Sequence, residues 1–393
     1  MTQDNHHRTR ARKASARLMD RRTFLKAGSL GAVAAAGFGG RAAAQETPGD
    51  IQYRTLGRTG MKVAIVSIGA MRTTEPAVFQ AAFDLGVNYV DTARCYMDGV
   101  NEGYVGTALK GYRDKVFVAT KCHMVTPQED IIKSVEESLK TLQTDYVDIL
   151  QLHHPSRQDM LHADAKAALA KLREQGKVRF FGLSAHSNEV EIIDGVLSDP
   201  DKFFDVILLT YNFNCKDDLT QAIERAAKAG IGIVAMKTQG KAGYEAKDLG
   251  DVSPHQAALK WVLRNPNVHT AIPSMVNLDE VKEDVAVMRM NLKLTQRDHE
   301  VLRRYRLATA STYCYRCGEC RETCPARVDI PTVNRSVMYA EGYGDMPLAQ
   351  ATYAEVPLAV SAAACGDCTQ CVARCPNSVA IGVQMRKART LFA

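Results

Sequence analysis

Four side chains able to work together on a carbonyl group sit at one kind of place in this sequence, just after a short β-type run. Val87-Asn88-Tyr89-Val90 leads into Asp91, with Tyr96 shortly beyond. Val116 to Thr120 ends on Lys121, and Tyr146 to Leu152 ends on His153. If these runs are neighbours in one parallel sheet, a carboxylate, a phenol, an amine and an imidazole meet at one edge. A buried ammonium beside a phenol lowers the phenol's pKa, and a carboxylate holds the ammonium charged and in place. The phenol can then give a proton to a carbonyl oxygen while a hydride reaches the carbon.

Such a meeting needs a scaffold that delivers strand ends to a common rim. Eight strands are expected: Val63 to Ala70, Val87 to Ala93, Val116 to Lys121, Tyr146 to His153, Arg179 to Ala185, Val206 to Tyr211, Gly232 to Lys237 and Thr270 to Pro273. Helical patterns follow each. Pro127 to Leu142 carries Ile131, Val135, Ser138, Leu139 and Leu142 along one face, with Thr126 as a candidate N-cap. Ser253-Pro254 opens another helix that runs to Leu263, with proline at the first turn. Thr295 to Leu307 reads as a charged amphipathic helix with Val301 and Leu302 inward. Alternating β and α units predict parallel strands with right-handed crossovers. Eight units suit an α/β (β/α)8 TIM barrel, whose function gathers at the C-terminal strand ends. An open doubly wound sheet is the alternative, but no G-x-G-x-x-G follows the first strand.

In this order and context, Asp91, Tyr96, Lys121 and His153 resemble the catalytic tetrad of the aldo-keto reductases. The resemblance runs from about Ile51 to Ala308. It includes Tyr53-Arg54-Thr55-Leu56-Gly57-Arg58-Thr59-Gly60, Tyr146 to His153, and Ile233-Val234-Ala235-Met236-Lys237. It implies that Tyr96 is the general acid or base, that Lys121 lowers its pKa, that Asp91 pairs with Lys121 and that His153 orients the carbonyl. It further implies a nicotinamide cofactor, NADP(H) or NAD(H), and a small carbonyl or alcohol substrate. Tyr211 is then expected to stack on the nicotinamide ring and Ser184 to bond its carboxamide. The family often has Asn after that serine, whereas here Ala185 and His186 follow. Ile272 to Glu280 resembles the last phosphate loop, with Ser274 and Asn277 at a helix N-terminus that can hold a phosphate. Met275 and Val276 stand where the family often has a basic residue for the 2′-phosphate, which leaves both nicotinamides open. Gln151 lies inside its strand and can face either way. Cys95, Cys122, Cys215, His123, His154 and His186 also lie near strand ends. Alternation along a strand predicts that most of these neighbours face away from the tetrad.

The tail has its own chemistry. Cys314, Cys317, Cys320 and Cys324 form C-x-x-C-x-x-C-x-x-x-C followed by Pro325, and Cys365, Cys368, Cys371 and Cys375 repeat it before Pro376. This is a duplicated bacterial ferredoxin pattern, in which the fourth cysteine of each run ligates the other cluster. Two [4Fe-4S] clusters are expected, one on Cys314, Cys317, Cys320 and Cys375, the other on Cys365, Cys368, Cys371 and Cys324. Zinc is the competing metal, but a repeated four-cysteine run with a trailing proline is poor zinc spacing. The long linker reads as helical over Ile330 to Tyr343 and Tyr353 to Ala363, which predicts a small, mostly helical ferredoxin-like domain.

The net charge of the 393 residues, +6, misleads. Residues 1–44 hold nine Arg and Lys against two Asp, so the remainder carries a net charge of −1 and offers no footprint for nucleic acid. That N-terminal segment has the order of a twin-arginine leader: Asp20-Arg21-Arg22-Thr23-Phe24-Leu25-Lys26, a short apolar run from Ala27 to Gly40, then Ala42-Ala43-Ala44 before Gln45. The run is too short and glycine-rich for a stable membrane span. The expected divisions are a leader over 1–44, a barrel over 51–310 and a ferredoxin-like domain over 311–393. The leader implies the twin-arginine translocase as an export partner and a periplasmic location; the clusters allow for a redox partner protein. Two functions fit: a hydride-transferring oxidoreductase with clusters, or a periplasmic iron–sulfur electron carrier whose barrel is a docking scaffold.

Overall fold

Short strands separated by amphipathic helices close into a ring. In the computed structural model the described residues are 49–123, 127–156, 160, 162–240, 252–366, 368 and 370–392; the expected leader and Thr126 lie outside them. A hairpin of β1 (Tyr53–Thr55) and β2 (Lys62–Ala64) comes first, with Tyr53 opposite Ala64. The barrel strands are β3 (Ile68–Gly69), β4 (Tyr89–Asp91), β5 (Phe117–Cys122), β6 (Val147–His153), β7 (Val178–Ala185), β8 (Val206–Thr210), β9 (Gly232–Met236) and β10 (Thr270–Ala271). They form one eight-stranded sheet in sequence order, every neighbouring pair parallel. A bridge between Val66 and Ala271, with Ser67 N–H donating to the Ala271 carbonyl at 2.8 Å, joins the two ends.

Each barrel strand is followed by a helix: α1 (Pro76–Asp84), α2 (Asn101–Ala108), α3 (Gln128–Leu142), α4 (Ala163–Glu174), α5 (Glu189–Leu197), α6 (Asp217–Lys228), α7 (Pro254–Leu263) and α8 (Leu278–Ala286). On α3 the buried residues are Ile131, Val135, Ser138, Leu139 and Leu142, the stripe read from the sequence. Ser253 caps α7 by accepting the His255 and Gln256 N–H groups, with Pro254 at the first turn. A further helix, α9 (Gln296–Thr309), opens on a capping box between Thr295 and Asp298 and buries Val301, Leu302 and Tyr305.

The barrel interior is a separate apolar cluster that includes Tyr89, Ala119, Ile149, Val206, Leu208, Val234 and Met236, with Leu56, Met61 and Val63 from the hairpin. The hairpin residues plug the N-terminal end. This corrects the expected first strand, Val63 to Ala70. Chain in the hairpin stops at Ala64, whose N–H is taken by the Asn88 side chain at 2.8 Å, and enters the barrel only at Ile68.

The tail contains α10 (Glu319–Glu322), α11 (Ile330–Gly342), α12 (Met346–Ala354) and α13 (Ile381–Leu391) around an apolar cluster of its own. The helix expected over Tyr353 to Ala363 is instead α12, followed by short 3-10 turns at Leu358–Val360 and Ala362–Cys365. Pro357 stands in the way: it lacks an N–H and steers Val356 away from helical backbone. Tail and barrel belong to one compact unit. Asn212 donates to the Tyr313 hydroxyl at 2.8 Å, and Arg72 lies over the Tyr343 ring at 4.6 Å.

Leu56 is fully buried in the plug and lies where a Cβ on Gly232 would collide with it, 2.8 Å away. Replacing Leu56 by Ala should cost about 2–5 kcal/mol, read as a lowered thermal midpoint by circular dichroism. An unchanged midpoint would mean that the plug carries no packing energy.

Candidate active site

Register determines what points into the barrel mouth. Side chains alternate along a strand, so the inward positions Tyr89, Ala119 and Ile149 are followed two residues later by Asp91, Lys121 and Gln151. Asp91 pairs with Ala119, and Lys121 with Gln151. These three side chains therefore share one layer just above the apolar interior, with His153 two residues further along β6. Gly182 pairs with Gln151, and a Cβ there would sit 3.2 Å from the Gln151 Cγ and 2.9 Å from the Val206 carbonyl. The missing side chain makes room for Gln151.

The Lys121 ammonium is buried. It donates to Asp91 Oδ1, to the Thr92 carbonyl at 2.7 Å and to the Tyr96 hydroxyl at 3.2 Å. Gln151 Nε2 donates to the other Asp91 oxygen at 2.7 Å. Its direction, open in the sequence, is thus inward. Burial lowers the Lys121 ammonium, but the Asp91 charge, then Tyr96 and the hydrogen bonds to both, outweigh it and the shift is upward. For Asp91, burial is the largest influence and raises the carboxyl against the pull of Lys121 and Gln151. The ammonium, with three oxygen acceptors, stays charged.

At the phenol, burial outweighs the expected pull of Lys121. Burial pushes Tyr96 up to about 12; Lys121 pulls it down, while Asp91 returns part of that pull. Desolvation wins because the ammonium's charge is already matched by a carboxylate. Tyr96 therefore carries its proton through the neutral range, as a proton donor must. His153 lies edge-on to the Tyr96 ring, centroids 6.0 Å apart. Burial first, then His154 and Lys121, pushes it well below an ordinary imidazole, so it is neutral at physiological pH.

The histidines and Cys95 do not scatter as alternation predicts. His153 stacks between His123 at 4.8 Å and His154 at 4.5 Å, and His154 meets His186 at 3.7 Å between centroids. Cys95, His123 and His153 place one ligand atom each within 4.8 Å of one another, as do His153, His154 and His186. The reason is local. His154 has φ of 55°, in the left-handed region, so the chain leaves the strand there and its ring returns to the mouth. Cys122 is buried among the helices, as alternation requires.

The four residues expected to hold the cofactor fare differently. Tyr211 is a correction. It follows Thr210, the last inward residue of β8, and so faces outward, where its ring packs on Trp261 at 5.1 Å and its hydroxyl meets Thr220 at 3.0 Å. Ser184 is fully buried, and its hydroxyl accepts the His154 N–H at 3.2 Å. Asn277 caps α8 by accepting the Asp279 and Glu280 N–H groups. Ser274 does line a cavity, of about 90 Å³, that also holds Asp91, Tyr96 and Thr238. The Thr238 hydroxyl is buried there without a partner. The unpartnered Thr238 hydroxyl and Ser274 beside Tyr96 suit the polar contacts of a nicotinamide, without the expected aromatic platform. Sequence reasoning missed the tail's share of the mouth: Tyr339 and Tyr343 close the same cavity. Nothing in the barrel's own pattern signalled them.

In the tail, burial pushes up the thiols of Cys314, Cys317 and Cys320, and the Cys375 sulfur adds to each. Burial likewise raises Cys365, with Cys324, Cys368 and Cys371 beside it. The fourth cysteine of each run thus stands with the other run. Backbone N–H groups of Arg316 and Asn377 point at the Cys314 and Cys375 sulfurs at 3.3 and 3.4 Å, the kind of contact that tunes an iron–sulfur cluster's potential.

Comparisons with known proteins agree with this geometry. Residues 69–248 match the Aldo/keto reductase family and residues 313–380 match a 4Fe-4S dicluster domain. L-galactose dehydrogenase of Arabidopsis thaliana is 28% identical over 284 residues, 61% of this chain and 88% of that protein. Methylglyoxal reductase YeaE of Escherichia coli is 28% identical over 240 residues, 57% of this chain and 82% of that protein. The fold is shared with aldo-keto reductase AKR11C1 from Bacillus halodurans, with a TM-score of 0.56 and 24% identity over 65% of this chain and 96% of that one. It is shared also with an aldo-keto reductase from Klebsiella pneumoniae solved with NADPH, with a TM-score of 0.55 and 24% identity over 65% of this chain and 95% of that one.

The depressed imidazoles have a stability consequence. His153 and His186 are both held well below about 6.5, chiefly by burial. Below that pH the unfolded chain binds more protons than the folded one, so stability falls as pH falls. The thermal midpoint should drop on acidification below about pH 6.5, and His186→Asn should flatten that limb. An identical limb in the variant would contradict the burial of His186. By its barrel and these relatives the chain is an oxidoreductase enzyme, with a domain that matches the Aldo/keto reductase family over residues 69–248 and one that matches a 4Fe-4S dicluster domain over residues 313–380.

Proposed function

We propose that the chain is an exported carbonyl oxidoreductase that moves hydride between a nicotinamide and a small carbonyl or alcohol, with two [4Fe-4S] clusters for electron transfer. The observation that carries this reading is Lys121, which binds Asp91 on one side and the Tyr96 hydroxyl, at 3.2 Å, on the other. A bound NADP(H) or NAD(H) supplies or accepts the hydride. Tyr96 holds the proton for the carbonyl oxygen, and Lys121 stabilises the phenolate left behind. Asp91 and Gln151 keep the ammonium in place. Neutral His153 orients the carbonyl by hydrogen bonding. Ser274 and Thr238 offer polar contacts to the cofactor. The names of two relatives, a sugar dehydrogenase and a methylglyoxal reductase, support a small carbonyl or alcohol as substrate.

One cluster is held by Cys314, Cys317, Cys320 and Cys375, the other by Cys365, Cys368, Cys371 and Cys324. A nicotinamide exchanges two electrons as hydride, whereas each cluster exchanges one, so the clusters serve a redox partner protein. The leader over 1–44 sends the folded, cluster-loaded protein through the twin-arginine translocase to the periplasm. The alternative, a barrel that only scaffolds an electron carrier, draws no support from the mouth: a scaffold has no use for a buried ion pair beneath a phenol.

Tyr96→Phe should lower carbonyl reduction about 10²–10⁴-fold while dithionite still reduces the clusters. Unchanged turnover would overturn the assignment. Protein purified anaerobically from the periplasm should begin near Gln45 and hold about eight irons; a chain beginning at Met1, or zinc in place of iron, would count against it.

A further inference from the structure

Buried polar atoms without partners gather outside the tetrad's cavity. Several of them, among the described residues, lie on the wall of a second cavity, of about 230 Å³, between the first cysteine run and the barrel mouth. They are both ring nitrogens of His186, Nε and Nη1 of Arg316, and Nε of Arg335. Asn334 and Thr210 are set aside, since Asn334 bonds the Cys314 sulfur and Thr210 bonds the Glu189 carboxylate. Water could fill such a space, but water does not answer its charge. Lys237, Arg316 and Arg335 all line the cavity; Glu189 and Asp218 are the carboxylates there. Arg335 spends one Nη on Glu355 at 2.6 Å, and Lys237 has no ion-pair partner among the described residues. Lys237 has φ of 54°, the left-handed region. His186 and Lys237 line both cavities, so the two spaces adjoin.

We infer that this second cavity takes the anionic group, a carboxylate or a phosphate, of a small ligand whose reactive end lies past His186 at Tyr96. The placement of the reactive end rests on the proposed function; the anion site does not. Two guanidinium forks match paired oxygens; burial and then Arg316 and Arg335 hold Lys237 well below an ordinary ammonium, so its amine stands beside His186 as a donor whose charge a bound anion would favour. Two of the cations come from the cysteine-bearing tail, so an anion here would lie within the reach of both halves of the chain.

The test uses the full, cluster-loaded chain under anaerobic conditions, titrated calorimetrically with oxalate and with inorganic phosphate, and with neutral oxamide as control. Oxalate or phosphate should bind and oxamide should not. Arg335→Gln and Lys237→Met should each weaken anion binding roughly tenfold to a hundredfold, with Arg335→Lys recovering part. Unchanged visible absorbance of the clusters shows that the variants are folded. Saturating NADPH separates the two sources. Oxalate that still binds marks the site as one for a substrate carboxylate. Oxalate that is displaced, with NADPH itself weakened by Arg335→Gln, marks it as one for the cofactor's phosphate. No anion binding, or equal affinity in wild type and variants, overturns the inference. Tyr96→Phe should leave anion binding intact; if it also leaves carbonyl turnover intact, the proposed function falls and the anion site stands.

Discussion

The site depends on one buried charge pair. Lys121 reaches into the barrel from β5 with its side chain sealed from solvent, and only the Asp91 carboxylate makes that tolerable. Removing one partner of such a pair costs about 3–5 kcal/mol, because the other charge is left buried and alone. The pair is thus a constraint on the fold as much as a part of the proposed catalytic site. β4 and β5 must stay in the register that sets Asp91 beside Ala119, since a slip of one residue would turn the carboxylate out of the barrel. Gln151 completes the arrangement from the next strand, and Gly182 leaves the space it needs.

The second organising feature is the tail's position over the mouth. Tyr339 and Tyr343 wall the cavity that contains Tyr96, and Tyr313 is tied to Asn212 at the end of a barrel strand. Cysteine-bearing backbone lies against the second cavity, where Cys314 and Cys317 share a wall with His186 and Lys237. The proposed hydride chemistry and the first cysteine run are therefore neighbours across a small space, although they lie far apart in sequence. The cluster of imidazoles from His123 to His186 fills the rim between them, each ring kept neutral where its shift is resolved by burial and by the cations around it.

Much of this was legible in sequence because it follows from periodicity. Tetrad residues end hydrophobic runs, so a parallel barrel had to bring them to one rim. The stripe on Gln128–Leu142 and the caps at Ser253 and Thr295 are local patterns, and local patterns survive folding. What escaped depends on single backbone turns or on distant packing. Tyr211 and Thr210 differ by one position, and that parity sends the aromatic ring outward to Trp261. His154 breaks the same parity through a left-handed backbone, which no side-chain pattern announces. The Tyr96 shift escaped for another reason: the sequence names the ammonium but not how completely it is matched and how deeply the phenol is buried. Arg316, Arg335 and the tyrosines of the tail enter the mouth only through tertiary packing, and no motif within the barrel points to them.

The central claim is that carbonyl chemistry at Tyr96 proceeds by hydride transfer. It is tested most directly by supplying NADPH carrying deuterium at C4 and following the label into the alcohol by mass spectrometry. The account predicts deuterium on the former carbonyl carbon, with a primary isotope effect on turnover. Alcohol formed without the label, its hydrogen drawn from solvent, would place the chemistry elsewhere and contradict it.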